Sequence, residues 1–215
     1  MNTPACLVVD TIGPWCACAV SIGDDVFEHA EDIGRGHAER LAPMVSELLE
    51  DAGIRPRSLD RIGVNIGPGG FAGTRVGVAF ARGLALSTGM KALGVSNLDA
   101  LALRADPEGA RTVMAIHDAK RGDLVWRLFT HGRPVTEISY GDARDAADEF
   151  EAFGDVILTG SGAVHLGADP SHFDPKPPLH ALLALTSRAP ADAPAPSPLY
   201  ARPPDAKLPG GQTPA

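Results

Sequence analysis

A glycine-rich loop between a strand and a helix constrains the fold more than any other feature of this sequence. Residues 61–66 form an apolar run typical of a strand, the loop 67–73 contains four glycines, and helical spacing follows from Thr74. A strand that passes through a loop into a helix is the repeating unit of an α/β protein. No Gly-Lys-Ser/Thr ending follows, so the loop is not a P-loop. Two interpretations stay open: a helix start that holds an anion, or a rigid corner without a ligand.

The order of predicted elements indicates two α/β lobes. Three antiparallel strands open the chain, and a turn cluster at 106–109 separates a smaller second set that begins with a β-hairpin. We predict a first lobe over 1–105, a second lobe over 106–197 and an extended proline-rich tail over 198–215. The predicted strands are 6–10, 16–22, 26–33, 61–66, 91–95, 112–118, 124–130 and 156–158, and the predicted helices are 37–52, 74–88, 97–104, 142–153 and 179–185.

Composition excludes several classes of protein. The 44% hydrophobic and 21% charged residues are ordinary for a globular chain, and no apolar stretch has the roughly 20 residues that span a membrane. The start of the chain has no basic region before its apolar run, so we expect a cytoplasmic protein. A formal charge of −8 argues against direct wrapping of nucleic acid. Cys6, Cys16 and Cys18 fit no zinc spacing, and we interpret them as small buried hydrophobic residues.

Two strand ends carry an aspartate followed by a tight turn. Asp10 and Thr11 end the first strand, and Asp118 ends the first strand of the second lobe. Actin-like ATPases present one such loop from each lobe to a nucleotide, so Asp10, Thr11, Asp118 and the loop residues Gly69 and Gly70 are candidates for a vestigial nucleotide cleft. Aspartate is also common at such turns for local backbone hydrogen bonding alone. The second interpretation is the more frequent one.

The helix after the glycine loop shows a repeat of small residues. Gly73, Gly77, Ala81 and Ala85 recur every four residues, which forms a groove that another helix can approach closely. Packing within the lobe could cover one face, but a helix that is apolar all round needs cover on both sides. We predict a partner surface on this helix, with the candidate residues Gly73, Val76, Gly77, Phe80, Ala81 and Leu84.

The sequence shows no catalytic set and no preformed metal site. The seven histidines never occur as H-x-x-x-H or H-E-x-x-H, and no cysteine pair adds ligands. Nothing places a nucleophile, a base and an oxyanion donor together. We therefore predict no catalytic residue and no bound metal.

Several of these stretches, in order and spacing, resemble the TsaB (YeaZ) family. The resemblance is strong over 5–101, moderate over 111–130 and faint over 131–197. The glycine loop departs from the family, because Gly70 and Ala72 stand where a serine and a threonine are usual. The stretches that carry the resemblance are 7–11, 37–41, 67–75, 83–86, 94–101 and 118–123, together with Pro198 to Arg202 and Asp205 to Lys207 in the tail.

The resemblance implies a fold and a role. The fold would be the actin-like ATPase (ribonuclease H-like) fold: two lobes, each with a mixed sheet flanked by helices, with the second lobe reduced. The role would be that of a non-catalytic partner in making threonylcarbamoyl-adenosine next to the tRNA anticodon. The family's partners are a TsaD-type transferase and a TsaE-type ATPase, with a homodimer in isolation and tRNA reached only through the complex. The resemblance also implies an interface built from helices of the first lobe, which would map onto 37–52 and 75–86. It adds five candidate interface residues on the first helix: His37, Arg40, Leu41, Met44 and Leu48. No cofactor is required, although the cleft allows weak ATP or ADP binding.

Two other functions compete with this one. The family is often labelled glycoprotease-like, which suggests a metal-dependent peptidase, and an active actin-like ATPase would use Asp10 and Asp118 for ATP with magnesium. A peptidase needs a metal or a nucleophile that the sequence does not supply. Binding of nucleotide or metal would separate both from an interaction protein.

Overall fold

We describe the chain from a computed structural model, whose described residues are 4–190 and 192–201. The strands are β1 (Cys6–Asp10), β2 (Trp15–Ile22), β3 (Asp25–Asp32), β4 (Arg61–Asn65), β5 (Lys91–Val95), β6 (Thr112–Asp118), β7 (Leu124–Thr130), β8 (Arg133–Pro134), β9 (Ser139–Gly141) and β10 (Val156–Thr159). The helices are α1 (His37–Asp51), α2 (Phe71–Thr88), α3 (Asn97–Ala105), α4 (Ala143–Glu151) and α5 (Leu179–Arg188), and three short 3-10 helices lie at Pro56–Ser58, Ala163–Leu166 and Pro170–His172.

The first sheet has the strand order β3-β2-β1-β4-β5. The three opening strands are antiparallel, as predicted, while β4 and β5 run parallel to β1. Helices cover both faces, because β1 is apolar on both of its sides. On one face α1 and α2 enclose a core with Leu41, Met44 and Leu48. On the other face α3 and α5 pack against the small residues of β1 and β2.

The second sheet repeats the first in a shorter form. Its order is β10-β6-β7-β8, with β9 paired to β7; β6 and β7 are antiparallel and β10 runs parallel to β6. In each sheet, the first strand in chain order lies inside the sheet and ends in an aspartate: β1 ends at Asp10 and β6 ends at Asp118. Among the described residues the second sheet has no counterpart of β5. Helix α3 lies between the two sheets and packs Leu98 and Leu101 against Val113 and Phe129.

The element boundaries differ from the sequence predictions mainly after the glycine loop and at helix caps. Helix α2 begins at Phe71 rather than at Thr74, because the last part of the glycine loop already has helical geometry. Ser96 caps α3 as predicted, with its hydroxyl accepting from the Leu98 N–H at 3.1 Å. Asp142 is the cap of α4 rather than its first residue. The short strands β8 and β9 were not predicted, since two or three residues give no readable period.

The predicted division of the chain at 105/106 stays a prediction. Helix α5 follows the second sheet in the chain but packs on the first sheet, where Leu179, Leu182 and Leu183 are buried. At the start of the predicted tail, the Leu199 N–H donates to the Ile66 carbonyl oxygen at 2.8 Å. The rest of the predicted tail, residues 202–215, lies outside the described residues.

The three cysteines are buried and form no disulfide, as predicted. Burial raises the pKa of Cys6 and Cys16 to about 11 and that of Cys18 to about 12. The thiols therefore stay protonated near neutral pH and act as small apolar side chains. No helix in the described part of the chain is long and apolar enough to cross a lipid bilayer.

Candidate functional site

A cleft of about 330 Å³ lies where the central strands of the two sheets end. Asp10 and Gly69 reach it from the first lobe and Asp118 reaches it from the second, so three of the five predicted cleft residues line one cavity. Thr11 and Gly70 line a neighbouring groove beside the starts of α1 and α2. The topology explains this meeting, because strands that occupy the same place in two facing sheets end at the same gap.

Asp10 is part of a buried polar cluster. Its side chain is almost fully buried, and one carboxylate oxygen accepts from the Asn65 amide at 2.7 Å while the other accepts from the Ile12 N–H at 3.1 Å. Asn65 also donates to the Asn97 side-chain oxygen at 3.1 Å. Burial raises the pKa of Asp10 above its ordinary value, while the bonds from Asn65 and Ile12 act in the opposite direction. Asp10 is thus committed to partners within the chain.

Asp118 has a different environment at the equivalent place. It accepts from the Lys120 N–H at 2.8 Å and from the Lys120 ammonium at 2.7 Å. Its partial burial acts to raise the pKa, but the hydrogen bonds from Lys120 outweigh that effect and hold the pKa of Asp118 below its ordinary value. The carboxylate stays ionised and faces the cleft.

The cleft also contains residues that the sequence analysis did not propose. His117 and Ser161 lie beside Asp118, and the Ser161 hydroxyl accepts from the Asp118 N–H at 3.0 Å. Burial lowers the pKa of His117 to about 4, so its ring is neutral near pH 7. Asn65 carries the one readable signal, a polar residue at the end of an apolar strand. The other residues come together only through the pairing of distant segments.

The glycine loop is filled by the chain's own backbone. The Gly70 N–H donates to the Ile12 carbonyl oxygen at 2.6 Å, and the Gly67 N–H donates to the Asn65 side chain at 3.1 Å. A side chain at Gly69 would collide with Ile12. These bonds support the interpretation of the loop as a rigid corner, because two of its amides already have partners that an anion would have to replace.

The small-residue groove on α2 faces inward, which corrects part of the predicted partner surface. A side chain at Gly73 would meet the Thr11 carbonyl oxygen, and one at Gly77 would meet the Thr11 hydroxyl and Val64. The groove therefore holds the turn after β1 instead of a partner helix. Five of the predicted interface residues are buried within this chain and present no surface to a partner: Leu41, Met44, Leu48, Gly77 and Ala81.

The other six predicted interface residues retain some exposed surface. His37 lies near the Trp15 carbonyl oxygen at 3.2 Å, and Arg40 pairs with Glu31 and with Glu47, the latter at 2.7 Å. Along α2 the partly buried members are Gly73, Val76, Phe80 and Leu84. Their role in binding a partner stays a prediction.

The outward side of α2 shows a pattern that the sequence analysis missed. Five residues spaced four, three, four and three apart are small or apolar; four of them are exposed, and Val76 is partly buried against the core. This is the spacing of a coiled-coil seam. The last of them, Leu86, is 89% exposed. We call this row the outer stripe: Ala72, Val76, Ala79, Gly83 and Leu86.

Metal ligands do not cluster in the described residues, since no three His, Cys, Asp or Glu side chains lie close enough to hold an ion there. The predictions of no catalytic residue and no metal stay predictions.

Two mixed sheets of matching strand order, joined by α3 and facing each other across a cleft, define the actin-like ATPase fold. The solved structure of YeaZ from Pseudomonas aeruginosa superposes with a TM-score of 0.73 and 29% identity, over 86% of this chain and 91% of that one. The family described as TsaD, tRNA N6-adenosine threonylcarbamoyltransferase, matches residues 29–167. The chain belongs to the TsaB (YeaZ) family.

Two relatives show how far the similarity extends. The Escherichia coli K12 tRNA threonylcarbamoyladenosine biosynthesis protein TsaB is 35% identical over 141 residues, which is 65% of this chain and 60% of that protein. The Mycobacterium tuberculosis H37Rv protein Rv3421c is 32% identical over 210 residues, covering 94% of this chain and 93% of its own length. The second match includes the region 131–197, where the sequence alone gave only a faint resemblance.

Proposed function

We propose that this chain is a non-catalytic subunit of the bacterial machinery that makes threonylcarbamoyl-adenosine in tRNA, and that it binds and stabilises a TsaD-type transferase. Three relatives that are named tRNA threonylcarbamoyladenosine biosynthesis protein TsaB support a role in this modification. Asp10 and the Gly70 amide both form hydrogen bonds within this chain, which supports a subunit that catalyses no reaction of its own. The family that matches this chain is described as TsaD, so the chain and the proposed partner are similar in sequence.

The outer stripe on α2 is the observation that supports partner binding most. A stripe with coiled-coil spacing on a surface helix leaves apolar area in water that a second helix would cover. Ala79 and Gly83 at its centre are small, so the backbone of a partner helix can come close. Leu86 at its end would fill a hole between partner side chains. We expect the partner to present an apolar helix of similar spacing.

Helix α1 extends the same surface. It packs beside α2, and its exposed positions include Ala38, Ala42 and Pro43 as well as the acidic residues Glu39 and Glu47. A surface that combines small uncharged positions with charged ones is typical of an interface with a polar rim. The two helices would form a four-helix contact with the two helices of a partner. A second copy of this chain offers the same pair, so a homodimer would form when the transferase is missing.

The proposed role needs no cofactor. Weak ATP or ADP binding in the cleft is compatible with it, but Asp10 would have to exchange its bonds to Asn65 and Ile12 for a ligand. Contact with tRNA would come through the complex, together with a TsaE-type ATPase, because the charge of −8 opposes direct binding. We place this complex in the cytoplasm.

Charged substitutions in the outer stripe test the proposal. Ala79→Arg and Leu86→Arg should each reduce co-purification of a tagged TsaD-type transferase at least tenfold, since the guanidinium would be buried without a partner. In the absence of the transferase, the same variants should elute as monomers in size-exclusion chromatography. Ala152→Arg, which makes the same change at an exposed position after α4, is the matched control and should bind normally.

Thermal unfolding of each variant shows whether the fold is intact, because both outer-stripe positions are exposed and should keep the wild-type Tm. Folded Ala79→Arg and Leu86→Arg proteins that still bind the transferase at wild-type levels would contradict the proposed surface. Gly77→Arg is unsuitable for this test, since Gly77 is packed against Thr11 and Val64 and a large side chain there would disrupt the first lobe.

A further inference from the structure

A proline-rich segment crosses the mouth of the cleft. Residues 173–178, which we call the lid segment, have the sequence Phe-Asp-Pro-Lys-Pro-Pro and lead directly into α5. All six residues line the cleft, opposite Asp10 and Asp118. Three prolines in six residues restrict the backbone of the free segment, so less conformational entropy is lost when it lies in one extended path. The lid segment is thus preformed for its position.

The lid segment separates two cavities. On its far side lies a second cavity of about 480 Å³, whose walls include Glu28, Leu103 and His180. Five residues line both cavities, and four of them belong to the lid segment: Asp174, Lys176, Pro177 and Pro178, with Arg104 as the fifth. Asp174, Pro175 and Lys176 in the middle of the lid segment are exposed, so this part can lift without leaving a core position empty.

Arg104 holds the lid segment in place. This arginine lies in the last turn of α3, and its guanidinium donates to the Lys176 carbonyl oxygen at 2.8 Å and to the Asp174 carbonyl oxygen at 2.9 Å. A third bond, to the Asp174 carboxylate, measures 3.4 Å. Backbone hydrogen bonds fix the two ends of the lid segment: the Phe173 N–H donates to the Pro170 carbonyl oxygen at 3.1 Å, and the Leu182 N–H donates to the Pro178 carbonyl oxygen at 2.9 Å. Arg104 therefore holds the middle of the lid segment between two anchored ends.

We propose that the lid segment is a movable lid on the interlobe cleft and that Arg104 is its latch. While the latch holds, the cleft stays separate from the second cavity. When the lid segment lifts, the two spaces join into one trough that runs from Asp118 and Lys120 to Glu28 and His180. The lid would therefore control access of any solute to the strand ends at which the two lobes meet.

Trp15 provides a direct test, because its side chain lines the cleft. The chain has two tryptophans, and Trp126→Phe leaves Trp15 as the single fluorophore. In that background, Arg104→Gln should raise the Stern–Volmer constant for acrylamide quenching about twofold or more. Arg111→Gln is the matched control. Arg111 is 3.3 Å from its ion-pair partner Asp155, and neither residue lines the cleft. This control should leave the quenching unchanged.

A second variant keeps the test decisive if Arg104→Gln unfolds at the assay temperature. Pro175→Gly combined with Pro177→Gly loosens the lid segment and leaves Arg104 in place. It should raise Trp15 quenching and speed amide hydrogen exchange within 173–178, while exchange in β6 stays at its wild-type rate. The proposal is overturned if the folded variants quench Trp15 no faster than the Arg111→Gln control.

Discussion

The two strand-end turns of this protein have the same local design and different surroundings. After Asp10 the Ile12 N–H returns to the aspartate at 3.1 Å, and after Asp118 the Lys120 N–H does so at 2.8 Å. Beyond that shared bond they diverge. Helix α2 packs on the first turn, and Asn65 donates a hydrogen bond to its aspartate. The second turn lines the cleft. The comparison teaches that a repeated aspartate turn fixes the backbone, while the packing around it decides the free energy and the chemistry of the carboxylate.

The largest expected difference concerns the glycines beside the two turns. Gly73→Ala would push a methyl group into the Thr11 carbonyl and should lower the free energy of unfolding by about 3 kcal/mol or more. Gly122 has a φ of +90° but no atom within 4 Å of an added methyl group, so Gly122→Ala should cost only about 1 kcal/mol. Urea unfolding measures both. If the two variants lost the same free energy of unfolding, Gly73 would not be in close contact with the first turn.

Removal of the two carboxylates should show the same order with a smaller difference. Asp10→Ala leaves the Ile12 N–H without its acceptor and removes one partner of the Asn65 amide, at a cost of about 2–3 kcal/mol. Asp118→Ala removes bonds from one lysine at a partly exposed site and should cost about 1 kcal/mol or less. Chemical denaturation of both variants tests the ranking, and a larger loss at Asp118 would reverse the comparison.

The pH dependence of the two aspartates should have opposite signs. The pKa of Asp10 is raised by folding, so its contribution to stability is full below about pH 3.9 and is lost as the pH rises through its folded pKa. The pKa of Asp118 is lowered by folding, so its contribution is present above about pH 3.9 and is lost as the pH falls through its folded pKa.

Unfolding of wild type, Asp10→Asn and Asp118→Asn between pH 3 and 7 measures these contributions. Relative to wild type, Asp10→Asn should become less destabilising as the pH rises, whereas Asp118→Asn should become more destabilising. Parallel slopes for the two variants would show that both carboxylates share one environment, in conflict with the structure.

The smallest expected effect belongs to Lys120. Its ammonium is 2.7 Å from Asp118, but the lysine side chain is 79% exposed. An exposed ion pair contributes little, so Lys120→Met should change stability by less than about 0.5 kcal/mol. The variant should nevertheless move the pKa of Asp118 back toward its ordinary value, which NMR titration of the carboxylate can follow. A loss above 1 kcal/mol would mean that the second turn is held as firmly as the first.

Much of the fold could be predicted from local patterns. The apolar run of β2, the helical spacing from Leu41 to Leu48 and the cap at Ser96 depend on neighbours in the chain, and each element appears where it was predicted. The cleft was partly predictable, since Asp10 and Asp118 each end an apolar strand. His117 and Ser161 could not be assigned to it, because their meeting depends on the pairing of β10 with β6.

The direction of the α2 faces shows where sequence patterns stop. Gly73, Gly77 and Ala81 predicted a groove correctly, but spacing alone does not say whether a partner or the chain's own Thr11 turn fills it. The exposed row from Ala72 to Leu86 has an equally regular spacing and was hidden by the stronger glycine pattern. A helix that is apolar on most sides gives no one-dimensional signal for which side faces the core.

The sequence by itself determined the elements, the two-lobed α/β class and the resemblance to a family, because hydrogen bonding, capping and hydrophobic period act over a few residues. Only the tertiary structure decided which small residues are covered, why Asp10 is bound inside while Asp118 faces the cleft, and how Arg104 reaches the lid segment seventy residues further along the chain. These outcomes depend on contacts between segments far apart in sequence, and burial is a property of the packed whole.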